Sequence, residues 1–196
     1  MRQFIYGMAI ILIFATPFMR TLFESYMFLH MHMQMMLLFI AGLLMAPLLQ
    51  QKFPNFFEKF NKNGVPFMII FVTIIIYWML PRAMDEALEL WYVELFKFVS
   101  IPLLAGVTLR DSFRKLQPFA RFIFMVITAL TFGITGVLYT SSESQLCNAY
   151  LLADQISVGI GQLAIGVVIL AFVFLITFTD QSQYYKNPYD DAEGSS

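Results

Sequence analysis

The chain has 196 residues, of which 59% are hydrophobic and only 13% charged, with a formal net charge of −1. Soluble domains run about 45–50% apolar and about 25% charged, so this balance excludes an ordinary soluble domain, and the net charge of −1 gives no global basic character pointing to a nucleic-acid partner. The single cysteine, Cys147, excludes an intrachain disulfide framework and reads as a buried small apolar residue.

Long apolar runs separated by short charged clusters predict an all-α, polytopic membrane bundle, because a hydrocarbon core ~30 Å thick takes about 20 apolar residues per helix. In chain order the predicted helices are Phe4 to Met19, Met27 to Leu49, Val65 to Leu80, Leu90 to Leu109, Phe119 to Tyr139 and Leu151 to Phe178. None shows the alternating polarity of a barrel strand. Backbone polar groups in lipid must therefore be satisfied within each segment, as a helix does.

The breakers agree with these boundaries. Pro54, Gly64 and Pro66 punctuate the second loop, Pro81 closes the third helix and Pro118 opens the fifth. Pro47 and Pro102 fall inside helices, where a kink is expected. Residues 1–179 form one transmembrane domain, and residues 180–196 read as a polar cytoplasmic tail.

Basic residues set the orientation. Arg2, Lys52, Lys59, Lys62, Arg110, Arg114, Lys115, Arg121 and Lys186 fall on one side of a six-span model. Arg20 and Arg82 fall on the other, and Lys97 lies inside a helix. The positive-inside rule then places both termini in the cytoplasm, in a multi-pass inner (plasma) membrane protein. Arg2 before an apolar run also resembles a signal peptide; with no A-x-A site before Arg20, a retained anchor is the expectation.

Polar residues at membrane depth are the candidates for function, since each is costly there without a partner. His30, His32, Glu94, Lys97, Asp154 and Gln155 all fall toward the outer side, with Trp78, Met79 and Cys147 at similar depth, and nothing comparable is expected in the inner half. In the run HMHMQMM, His30 and His32 lie about 200° apart on a straight helix. His32 shares a face with Met35 and Met36 at i+3 and i+4. An imidazole beside thioethers suits Cu(I); the alternative is methionine as adaptable filler around hydrogen-bonded histidines.

Glu94 and Lys97, three apart, read as an intramembrane charge pair, structural or relaying protons. Asp154 is either a further ligand or a carboxylate at a helix N-terminus. Asp85, Glu86 and Glu89 read as a solvated acidic loop, and Gly159 with Gly161 as close helix packing. No P-loop, G-x-S-x-G, H-E-x-x-H or C-x-x-C-H motif occurs, so no enzymatic turnover is expected.

The ordered words "AGLLMAPLL", "YWMLPRAMDEAL", "LLAGVTLRDSFRKL" and "LYTSSESQLCNAYLLADQISVGIGQLAI" span the second to sixth helices. In that order they resemble the CtaG family, multi-helix membrane proteins that assist assembly of caa-type cytochrome c oxidase and are linked to copper delivery. The family carries a histidine pair in the second-helix motif, a W-H-x-P motif, further histidines on the next helix and a late D-Q pair. The resemblance sets His32 and Met36 at the first pair, Trp78, Met79 and Pro81 at the second motif, Glu94 or Lys97 at the third, and Asp154 with Gln155 at the last.

Several of the family's histidines are thus Met, Glu or Lys here. The resemblance implies a copper-handling, oxidase-assembly protein with His32, Met35, Met36, His30, Met79 and Asp154 as the ligand candidates. Its partners would be membrane lipid and a membrane protein complex. The alternative is a non-catalytic accessory subunit of a larger membrane metalloenzyme or respiratory complex; a small proton-relay or transport protein using Glu94, Lys97 and Asp154 is a third reading.

Overall fold

A computed structural model describes residues 1–178. The predicted tail, residues 180–196, lies outside the described residues. These contain helices and no strand: α1 (Arg2–Phe14), α2 (Pro17–Glu24), α3 (Leu29–Lys52), α4 (Pro54–Phe60), α5 (Val65–Met79), α6 (Pro81–Glu89), α7 (Trp91–Lys115), α8 (Pro118–Ser141) and α9 (Leu152–Phe178).

Four of them, α3, α7, α8 and α9, are long and apolar enough to cross a membrane. The count rises to six if two bent pairs each make one span: α1 with α2, bent by 74°, and α4 with α5, bent by 86°. The first predicted helix, Phe4 to Met19, is therefore not continuous. Pro17 has no N–H to donate and disfavours helical geometry at Thr16, whose ψ is 142°. The chain turns there, and α2 leaves as a short amphipathic helix. The second bend is made at Gly64, whose φ of +79° is open to glycine at little cost.

α3 and α7 form the centre. At their crossing the backbones touch: a Cβ on Gly106 would lie 2.6 Å from the Phe39 carbonyl oxygen, and one on Gly42 would overlap the Pro102 carbonyl. Only glycine permits this approach. Pro102 sits inside a π-helical stretch, Ser100–Val107, where the wider turn absorbs the missing donor. α1 packs on α3, α5 packs on α7, and α8 and α9 form an antiparallel hairpin whose packing is mostly with each other.

α6 corrects the expected acidic loop. It is an ordered amphipathic helix that buries Ala83, Met84 and Ala87. Asp85 accepts from the Asn148 amide at 2.9 Å, the Asn148 side chain at 3.3 Å and the Ala149 amide at 3.4 Å, which pins the loop between α8 and α9. Gln155, also buried, ties the same loop by accepting from the Leu146 amide at 2.7 Å and donating to the Tyr139 carbonyl at 3.2 Å.

Candidate functional site: a histidine–methionine cavity beside a buried charge network

The HMHMQMM run is where α3 departs from α-helical geometry. Leu29–Gln34 is π-helical, and the Met35 N–H reaches back five residues to the His30 carbonyl. Such widened turns are uncommon and concentrate at functional sites. Here the turn carries both histidines, and their environments differ.

His30 is fully buried in a polar network. Tyr150 donates its hydroxyl hydrogen to the Glu24 carbonyl at 3.0 Å, so at its 2.8 Å contact with His30 Nδ1 it must accept. That makes His30 the Nδ1–H tautomer, with Nε2 left as an acceptor. Nε2 is 3.0 Å from Lys97 Nζ. The ammonium spends its other two hydrogens on Glu24 Oε1 at 2.8 Å and Gln34 Oε1 at 3.2 Å. Both nitrogens of His30 and all three donors of Lys97 are thus in use, which leaves His30 no lone pair for a metal.

The expected direct pair between Glu94 and Lys97 is replaced by two cross-helix pairs. Arg20 bonds Glu94, and Lys97 bonds Glu24. Residues 20 and 24 are four apart on α2, residues 94 and 97 three apart on α7, so two opposed charge couples form successive rungs between the helices. Lys97 is wholly buried, and a buried charge is tolerable only with such partners.

His32 lies on another side of the turn. It stacks on Phe28 with ring centroids 4.7 Å apart, and its Nδ1 is buried without a hydrogen-bond partner. Its Nε2 lies against Gly161 of α9, where a Cβ would come within 2.7 Å. With Met35, Met36 and Met79, His32 lines a cavity of about 390 Å³ between α3, α5, α7 and the α8–α9 hairpin. Met31, Met68 and Met125 bring the methionines of the lining to six, and Trp78 and Gln162 also contribute. Gln162 donates to the Met31 sulfur at 3.3 Å, and its Oε1 has no partner. Trp78 is held by its indole N–H on Ser100 Oγ at 3.0 Å.

The structure therefore brings together four of the six candidate ligands. His30 and Asp154 do not line the cavity. Asp154 stands at the start of α9, where its backbone carbonyl accepts from Ser157 Oγ at 2.7 Å. Cys147 is buried in the α8–α9 loop, with Sγ 3.7 Å from the Pro81 carbonyl. Burial, with some help from Asp85, pushes its thiol up to about 12. Among the described residues, no three His, Cys, Asp or Glu side chains group as a metal site.

The opposite end of the bundle is not bare, contrary to expectation. Asp111, on α7, is buried and accepts from Gln50 at 2.9 Å, Asn61 at 2.6 Å and Lys115 at 2.8 Å. Asn61 also accepts from the Phe67 amide at 3.2 Å, and Lys115 donates to the Phe57 carbonyl at 3.3 Å. These bonds staple the α4–α5 bend to α3 and α7. They engage both oxygens of Asp111 within the fold, so the cluster is structural.

Comparison with known protein families, characterised proteins and solved structures returns no match.

Proposed function

We propose that the protein is a copper-handling membrane protein that assists assembly or metallation of a respiratory oxidase or related membrane metalloenzyme, without turnover of its own. In this reading both bent pairs count as spans. Six helices then cross the inner membrane with both termini in the cytoplasm, in line with the distribution of basic residues. The observation that carries the reading is the cavity: a buried imidazole with an unpartnered nitrogen shares it with Met35, Met36 and Met79.

The donor chemistry fits the cargo. Thioethers are soft and neutral and favour Cu(I) over harder divalent ions, and an imidazole adds one stronger donor. Met79 stands where the CtaG-like motif has histidine, so thioether replaces imidazole within the same constellation. Capture by two or three such ligands is weak enough for exchange onto a partner's site. His30 contributes indirectly, by fixing the π-helical turn that presents His32.

The test is metal content of protein purified in detergent and exposed to Cu(I) under reducing conditions. One copper per chain is expected. His32→Ala, or Met35→Leu with Met36→Leu, should lower the load strongly, while His30→Ala should lower it less. Leucine keeps size and apolarity, so loss there reports ligation. Wild-type protein that holds no copper would overturn the reading, and co-purification with a large complex would then favour a non-catalytic accessory subunit.

A further inference from the structure

The cavity is longer than an ion-binding site needs to be. On α5 it runs from Met79 to Met68, eleven residues and so about 16 Å at the helical rise of ~1.5 Å per residue. His32 and Met79 occupy one end. The far end, around Met68, Phe113 and Phe124, offers only apolar side chains. No Asp, Glu, Lys or Arg lines any part of it, and its volume of about 390 Å³ lies in the range of small-molecule sites, roughly 300–1,000 Å³.

A way in is also visible. α9 meets α3 at the π-helical turn, where Gly161 packs on His32, and does not pack closely against the rest of α3. Met36 lines the cavity just past that point and is 49% exposed. The gap therefore opens sideways, onto the face that the apolar helices would present to lipid, rather than at an end of the bundle.

We propose that the cavity between the His32 turn and Phe113 holds a single long apolar chain, alkyl or isoprenoid, that enters from the bilayer past Met36. The shape is elongated, the walls are apolar, and a charged headgroup has no partner inside. The chain itself must fill the far end, with any head neutral or left outside at the gap. Water is a poor occupant there, since it needs two to four polar partners and the far end supplies none. This proposal does not depend on copper.

Trp78 lines the cavity and is 3% exposed, whereas Trp91, the other tryptophan, is 75% exposed. A Trp91→Phe protein thus carries one fluorescent reporter, inside the cavity. It would be reconstituted in two ways: in vesicles of mid-chain dibrominated phosphatidylcholine, and in unbrominated vesicles titrated with mid-chain dibrominated stearyl alcohol. Bromine quenches indole only at short range. Saturable quenching of Trp78 by the alcohol is expected, and Ile165→Phe with Ile75→Phe, which narrow the cavity, should reduce it to the level of the vesicle background.

Quenching in brominated phospholipid identifies a bilayer lipid as a source of the chain; quenching by the alcohol alone identifies a free lipophile. A Trp78→Phe protein, which keeps the exposed Trp91, checks delivery of both probes. If Trp91 is quenched and Trp78 is not, or if quenching of Trp78 neither saturates nor responds to the narrowing substitutions, the proposal is overturned. A melting curve of the narrowed variant that matches wild type would show that its fold survives without reference to copper, so a failure here is separable from a failure of the copper reading.

Discussion

His30 and His32 stand on the same helical turn, two residues apart, and have opposite hydrogen-bonding states. Every nitrogen of His30 is committed, to Tyr150 on one side and Lys97 on the other. His32 is held by stacking and by the bare surface of Gly161, and its Nδ1 has no partner. A buried polar group without a partner costs about 1–3 kcal/mol, so a satisfied histidine adds stability and an unsatisfied one costs it. One member of the HMHM run belongs to the scaffold, and the other is available to a ligand.

The largest expected effect tests the scaffold side. Lys97→Met strands the Glu24 carboxylate and removes the donor to His30. It should lower stability by about 3–5 kcal/mol, as breaking a buried pair does. Unfolding in a denaturant series would measure this. Adding Glu24→Leu should recover much of the loss, whereas adding Glu94→Leu should recover little, because that carboxylate is paired with Arg20. Equal rescue by the two would show that the charges act as one diffuse cluster.

Next comes the contrast between the two histidines. His30→Ala leaves the Lys97 ammonium and the Tyr150 hydroxyl each short of a partner and should cost about 1–3 kcal/mol. His32→Ala removes no hydrogen bond and should cost less, while removing more of the copper load. Paired melting curves and metal analyses of the two variants would decide it; a reversed order in stability would break the division between scaffold and ligand.

Gly161→Ala sharpens the same division by steric means. The added methyl would lie 2.7 Å from His32 Nε2 and must displace the ring. Copper affinity should fall with little change at the His30 network, as competition with a Cu(I) chelator would report. Unchanged affinity would mean that the ring position is irrelevant to the load.

The last effect is absent at neutral pH and appears only in alkali. The Cys147 thiol, pushed up to about 12 from an ordinary 9.0 by burial and then by Asp85, keeps its proton in the folded protein after the unfolded chain has lost it. Its contribution is therefore whole below about pH 9 and disappears as pH rises through about 12. Wild type should lose stability over that alkaline window more steeply than Cys147→Ala, and maleimide should label Cys147 only on unfolding. Rapid labelling of the folded protein at neutral pH would contradict the buried placement.

The apolar runs that became α3, α7, α8 and α9 were legible in the sequence because hydrophobic length alone defines such helices. The break at Pro17 was not, since a proline in an apolar run is as compatible with a kink as with a corner, and Phe4 to Met19 has no charge to mark the difference. The common face of His32, Met35 and Met36 follows from helical spacing. Met31, Met68 and Met125 join them only through tertiary packing and gave no local signal.

The spacing of Glu94 and Lys97 pairs them with each other, because spacing shows only local neighbours. Their actual partners, Arg20 and Glu24, are about seventy residues away. Asp111 carries no local signal for the same reason: within "LRDSFRK" it resembles a loop residue, and its burial depends on Gln50 and Asn61.

The polar contacts also impose a timetable on assembly. A ribosome releases the chain from one end, so a contact can close only after its later member has emerged. The Glu24–Lys97 rung needs Lys97, and until then the acid at 24 and His30 enter an apolar surrounding without a lysine to bind. The Asp111 staple follows about four helical turns of chain later, locking Gln50 and Asn61 that were made some fifty to sixty residues earlier. His30 waits for Tyr150, which lies 120 residues downstream and arrives only as the last helix begins. A chain stalled before residue 150 would leave His30 without its tautomer-fixing partner. Ribosome-arrested intermediates of increasing length should accordingly gain resistance to protease in three steps: after Lys97, after Asp111 and after Tyr150.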